Sequence, residues 1–167
     1  MKKETIEAIF SELKNMVNEL SFECLGCRLV KEDGLYFLRV YLDVEGSVDL
    51  QDCETVARGI TEYLDSVAEE LPERYMLEVT SPGLERPLFI PEDFETFKGK
   101  PAELELKENK KLVCVLNGAK EEGIVSVIAE KCERDIKFED IKFAHLIYKK
   151  EGGEKKVLKK TPKKKKK

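Results

Sequence analysis

Between residues 4 and 20 the apolar side chains fall at Ile6, Ile9, Phe10, Leu13, Met16, Val17 and Leu20. Steps of three and four place them on one side of a helix and leave the other side wet. The period then drops to two. Residues 22–32 and 35–44 read as strands joined by Asp33-Gly34, a short hairpin signal. In the second of them Tyr36, Leu38, Val40, Leu42 and Val44 share a face. The other face mixes Arg39 and Asp43 with apolar groups, as expected of a sheet with one side against helices. After Gly46 a second helix begins near Asp49, which serves as N-cap, with Asp52 three residues on in a variant capping box. Its apolar stripe is Leu50, Cys53, Val56, Ala57, Ile60, Leu64, Val67, Ala68 and Leu71, and Pro72 ends it. A short strand, Tyr75 to Thr80, completes the order helix, strand, strand, helix, strand. This is an α+β sandwich with helices against one sheet face, in a KH-like order.

A shaped junction follows. Pro82 pre-sets φ for the first corner of a β-turn, and Gly83 supplies the positive φ that a type II turn needs next. Arg86 precedes Pro87 and is pushed toward extended geometry. Pro91 to Phe97 fits a short helix starting at a proline and stopped by Gly99. Alternating strands come next: Ala102, Leu104, Leu106; Leu112, Cys114, Leu116; Ile124, Ser126, Ile128; Ile136, Phe138. Asn117-Gly118 and Gly123 read as the turns between them, and Ile141 to Tyr148 as a helical turn plus a closing strand. Short strands at roughly ten-residue spacing predict a small barrel. From Lys149 onward lysine dominates with no apolar periodicity, the mark of a disordered tail. The expected organisation is an acidic α+β domain over 1–83, a small β-barrel over 84–148 and a tail over 149–167.

Charge sharpens that division. Residues 149–167 hold eleven lysines against Glu151 and Glu154, a net of +9, whereas residues 1–83 hold 8 basic and 18 acidic side chains, a net of −10. The stretch 84–148 carries −3. An acidic domain repels phosphate backbones and attracts basic proteins. No apolar run approaches the roughly 18 residues of a membrane span, and the N-terminus lacks a signal-peptide apolar core, so a cytoplasmic protein is expected.

Candidate chemistry is sparse. Five cysteines, an odd number, argue against a disulfide framework. Cys24-Leu-Gly-Cys27 is the only Cys-x-x-Cys, and residues three apart on a regular strand point to opposite faces, so its sulfurs are not expected to converge. His145, the single histidine, sits in an apolar segment as a rim or packing residue. No nucleophile–base motif, phosphate loop or dinucleotide glycine string occurs, and the carboxylates belong to wet helix faces. An enzyme is not expected, nor a cofactor, a metal or a small-molecule substrate. A nucleic-acid reading lacks the Gly-x-x-Gly clamp of KH folds and a stacking set of aromatics, since Phe138 and Phe143 are as easily core.

Three segments carry a resemblance. They are Leu77-Glu-Val-Thr-Ser-Pro-Gly-Leu-Glu-Arg-Pro-Leu88 at the junction, Arg39-Val-Tyr-Leu-Asp43 with Glu45-Gly-Ser-Val-Asp-Leu-Gln-Asp-Cys-Glu54 upstream, and Ile136-Lys-Phe-Glu-Asp-Ile141 with Ala144 and Leu146 downstream. With these in order over about residues 4–148, the chain resembles the RimP family of bacterial ribosome maturation factors. It departs by its lysine-rich tail and by Thr80 where serine is expected. The resemblance implies an α+β domain followed by an Sm-like barrel, and a factor that binds immature small (30S) ribosomal subunits through a small-subunit protein near the decoding centre. On the charge map, Asp52, Glu54, Glu62 and Asp65 of the second helix are the candidate docking face for a basic ribosomal protein. At the junction, Ser81, Pro82, Gly83, Leu84, Arg86 and Pro87 have two candidate roles. Leu84 and Leu88 pack between the domains while Arg86 pairs with a carboxylate, or the exposed turn itself touches the partner. Lys163, Lys164, Lys165, Lys166 and Lys167 are candidate contacts to ribosomal RNA, with strong salt dependence. The alternative is a direct RNA-binding chaperone acting through barrel and tail.

Overall fold

A computed structural model of the chain describes residues 2–43 and 48–148. Val44, the turn at Gly46 and the lysine tail, Lys163 to Lys167 included, lie outside the described residues. The chain forms two compact units, Met1–Gly83 and Leu84–Lys167.

The first unit runs α1 (Lys3–Glu19), β1 (Glu23–Glu32), β2 (Leu35–Asp43), α2 (Leu50–Ser66) and β3 (Tyr75–Thr80). The hairpin between β1 and β2 closes at Asp33 and Gly34, both at positive φ (50° and 83°), as a two-residue loop with right-handed strand twist demands. β2 is the central strand, antiparallel to β1 and parallel to β3. Leu38, Val40 and Leu42 are fully buried on one face of it, against Ile9, Leu13 and Val17 of α1 and Val56, Ile60 and Leu64 of α2. The helices therefore cover one side of the sheet only.

Helix α2 begins with a capping box. Asp52 N–H donates to the Asp49 carboxylate at 2.8 Å, and Asp49 N–H donates to the Asp52 carboxylate at 3.0 Å. Two expectations are corrected at its ends. Leu50, placed on the apolar stripe, is the first residue of the helix and is 76% exposed. The helix stops at Ser66 with Val67 as C-cap, six residues before Pro72. A 3-10 turn, Ala68–Glu70, then tightens the chain so that Leu71 reaches the core.

In β1 the register slips by one between Cys24 and Gly26, leaving Leu25 as the extra residue of a bulge. Cys24 opposes Leu42 and Cys27 opposes Val40, and both thiols enter the core at 2% and 7% exposure. This overturns the expectation that the two sulfurs diverge. Parity along a strand predicts sidedness only while pairing is regular, and a bulge resets it.

The second unit contains α3 (Pro91–Thr96), β4 (Pro101–Leu106), β5 (Lys111–Ala119), β6 (Ile124–Ala129), β7 (Cys132–Lys137) and β8 (Ile141–Leu146). The strands form one antiparallel sheet in the order β7-β6-β5-β4-β8, and among the described residues no ladder joins β7 to β8. Proline opens α3, and the Asp93 carboxylate accepts from Phe89 N–H at 2.8 Å and Ile90 N–H at 3.2 Å. Phe94, fully buried, meets Phe138 edge-on with centroids 6.0 Å apart. Asn117-Gly118, expected as a turn, is instead a bulge inside β5, and the turn falls at Glu121–Gly123. Gly118 takes φ +111°, and a Cβ there would run into the Glu95 carboxylate, which accepts from Ala119 N–H at 3.0 Å. The buried Ser126 is satisfied on both sides, accepting from Asn117 Nδ2 at 3.0 Å and donating to Glu133 Oε1 at 3.1 Å.

Burial also sets an alkaline limit. The Cys114 thiol, buried in the second core, is pushed up to about 11 by desolvation. Tyr41, Tyr63 and Tyr75 are raised too, first by burial. The unfolded chain therefore loses these protons at lower pH than the folded one. Stability is fully present below pH of about 8.5 and falls as pH climbs toward 11, with Cys114 alone worth on the order of 2–3 kcal/mol across that window. Urea midpoints measured at intervals from pH 8 to 11 are expected to fall steadily, and less steeply in Cys114→Ala.

Candidate interaction surfaces

With its core face occupied, α2 presents Glu54, Glu62 and Asp65 on the opposite side, all three exposed. Helical spacing sets them along about three turns of one face, with the exposed Arg58 four residues from both Glu54 and Glu62. The last turn of α2 has no basic residue, and exposed Glu69 and Glu70 follow it. The negative end of the helix dipole and these carboxylates therefore reinforce one another. Asp52 does not join this face. Its carboxylate is committed to the capping box, and its position on the helix is at the flank of the core stripe.

The helix-free face of the first sheet carries the alternate residues, Phe37, Arg39 and Tyr41 of β2 opposite Met76, Glu78 and Thr80 of β3. Arg39 is the hub. Its Nε donates to Glu78 Oε2 at 2.7 Å, while its two terminal nitrogens each donate at 2.9 Å to the two oxygens of Glu32. The guanidinium also lies 5.2 Å over the Phe37 ring. Its pKa is raised, first by the hydrogen bonds to Glu32. One arginine thus ties all three strands together with a planar fork that lysine cannot reproduce. Sequence reading noted Arg39 only as a charged residue on the outer face. The parallel register that sets Glu78 beside it has no local signal.

Of the junction residues, Ser81, Gly83 and Leu84 are exposed, Leu84 at 68%, and Gly83 takes the expected positive φ of +68°. Pro82 is half-buried. Residues 86–88 belong to the second unit's sheet. Leu146 N–H donates to Arg86 C=O at 2.9 Å, Leu88 N–H to Ala144 C=O at 2.8 Å, and Pro87 bridges His145. The Arg86 guanidinium lies 5.1 Å over the Phe97 ring. Leu88, read as packing between domains, lies within the second unit's own core.

On the outer face of the second sheet, Phe143 stacks on His145 with centroids 5.6 Å apart. His145 Nε2 lies 3.6 Å from Glu103, which also pairs with Lys111 at 3.6 Å. Phe138 and Phe143, grouped together from sequence, therefore have different roles: Phe138 faces the core and Phe143 the outside. Among the described residues no cluster of three or more metal-binding side chains occurs, and no helix is long and apolar enough to cross a membrane.

Replacing Arg39 by lysine is expected to destabilise the chain by about 1 kcal/mol, because Glu32 and Glu78 are partly screened by solvent. The loss should shrink in high salt. Urea unfolding of Arg39→Lys beside the parent chain checks both points.

Residues 12–85 match the family model of the RimP N-terminal domain. The match runs from the middle of α1 through β3 to Glu85, and so takes in the acidic face of α2, the Arg39 network and the exposed part of the junction.

Proposed function

Since the chain belongs to the ribosome maturation factor RimP family, we propose that it binds immature small ribosomal subunits in the cytoplasm and aids their late maturation by docking alone. A role in ribosome maturation comes with the family, which is not one of enzymes. The docking mode rests on one observation: a first unit of net −10 whose carboxylates Glu54, Glu62 and Asp65 stand exposed together on α2. Ribosomal proteins are strongly basic, and a carboxylate face of this kind raises the encounter rate with such a partner near the decoding centre. Leu84, exposed at the junction, supplies an apolar contact beside the acidic unit. No covalent step and no cofactor is involved. The factor favours one conformation of the assembling particle by binding it best, and leaves when the mature surface no longer fits.

A direct RNA chaperone is the second reading, favoured by the +9 balance of residues 149–167. Polycation binding of that kind weakens steeply with salt, whereas protein-mediated docking through a few carboxylates does so gently.

Pull-down from lysate with the tagged chain is expected to enrich immature small-subunit particles over mature ones. Recovery of mature subunits alone, or of none, would overturn the proposal. Glu54→Gln, Glu62→Gln and Asp65→Asn combined should slow association several-fold at low salt and little at high salt. An unchanged on-rate removes the steering role. Deleting residues 149–167 should leave particle binding in place and flatten the salt dependence of binding to naked ribosomal RNA. Tight RNA binding that survives the deletion favours the chaperone reading.

A further inference from the structure

The Leu25 bulge has a chemical consequence apart from ribosome binding. Residues directly opposite in an antiparallel ladder project to the same face. Leu42 and Val40 are neighbours on the core face of β2, so their partners Cys24 and Cys27 are neighbours on the core face of β1. Two residues that are three apart in sequence thereby stand one pleat repeat apart. That repeat is about 6.6 Å, at the upper end of the roughly 4.4–6.8 Å between the Cα atoms of a disulfide. Closure therefore requires the bulge to tilt the two Cβ atoms toward each other, to within about 4.5 Å. Both thiols lie in the same buried cluster, and the Cys24 thiol donates to Gly26 C=O at 3.7 Å. The neighbouring Cys27 thiol holds the Cys24 thiol below its ordinary value, and the charge of Lys14 acts in the same direction. Cys27, beside it, is pushed far up, first by Cys24 and then by burial. One sulfur is set up as the nucleophile and the other as the proton-bearing partner.

We propose that Cys24 and Cys27 form a peroxide-sensitive dithiol that closes to a disulfide within the core of the first unit. Burial selects the oxidant. At 2% and 7% exposure the pair has no room for a bulky mixed disulfide, whereas hydrogen peroxide is little larger than water. The Cys24 thiolate attacks one peroxide oxygen, the O–O bond breaks, and the departing hydroxide takes a proton to leave as water, giving Cys24 sulfenic acid. Cys27 sulfur then attacks Cys24 sulfur. The S–S bond forms, the S–O bond breaks, and the Cys27 proton leaves with the hydroxyl as a second water. Two thiols lose two electrons in all, and one peroxide becomes two waters. The bulge is then pinned by a covalent bond where only pairing held it before.

Cys53 on α2, Cys114 in the second core and exposed Cys132 on β7 serve as internal references. The full-length chain is treated with hydrogen peroxide near neutral pH, unfolded in the presence of N-ethylmaleimide and mapped by peptide mass. The peptide holding Cys24 and Cys27 is expected to lose two hydrogens and escape alkylation, and to regain both thiols with dithiothreitol. Far-UV circular dichroism should not change. In Cys27→Ala, Cys24 should stop at the sulfenic acid and take up dimedone added with the denaturant. Alkylation of both cysteines after Cys132 has been oxidised would overturn the proposal. So would added oxygen on that peptide in place of lost hydrogen. The wild-type map decides the matter even if the alanine variant fails to fold.

Discussion

Strand β2 must bury Leu38, Val40 and Leu42 completely, and the first unit is arranged around that requirement. Three large apolar side chains at every second position commit one face of the central strand to the core, at about 1.5–3 kcal/mol each. The other residues of the strand are thereby committed to the outer face. A one-residue slip of either neighbour would reverse its whole pattern, so β1 and β3 are held in register by the same demand. The two helices can then lie on one side only, and their polar faces point outward with whatever charge they carry.

The surface features follow from this division. Arg39 lies on the outer face because Leu38 and Val40 do not, and it meets Glu78 because β3 is in parallel register with β2. The acidic side of α2 is outward because Val56, Ile60 and Leu64 are inward. In the second unit a similar economy holds at the sheet edge. Residues 86–88 pair with β8 and cover an edge that would otherwise offer unpaired backbone groups. Gly83 and Leu84 before them stay exposed, while the Arg-Pro-Leu that follows is built into the sheet.

Much of this was legible in the chain. The α1 stripe, the Asp-Gly hairpin, the Asp49–Asp52 capping box and the proline-initiated α3 are local, and their side chains or turn residues announce them. The misreadings share a cause. Asn117-Gly118 has the composition of a turn, but the pairing of β5 with β6 continues past it, so the glycine serves a bulge. Asp52 counts as one more carboxylate in a tally, yet its carboxylate is taken up by the capping box with the Asp49 backbone. Leu50 fits the stripe by spacing, yet at the first position of the helix it stays exposed, since periodicity gives the side of a helix and not how far along it the core reaches.

The Cys-x-x-Cys pair draws the line most clearly. By itself the sequence determined the α+β class, most elements and their apolar faces, because periods of 3.6 and 2 are properties of single segments. It also determined the separation of charge, −10 ahead of the junction and +9 in the last nineteen residues. Only the tertiary structure decided which residues stand side by side: Cys24 with Cys27 along the bulged β1, and, across the ladder, Arg39 with Glu32 and Glu78 and Pro87 with His145. Register and bulges are set by how two faces fill a shared core, and that is a property of the packed segments together rather than of any one of them.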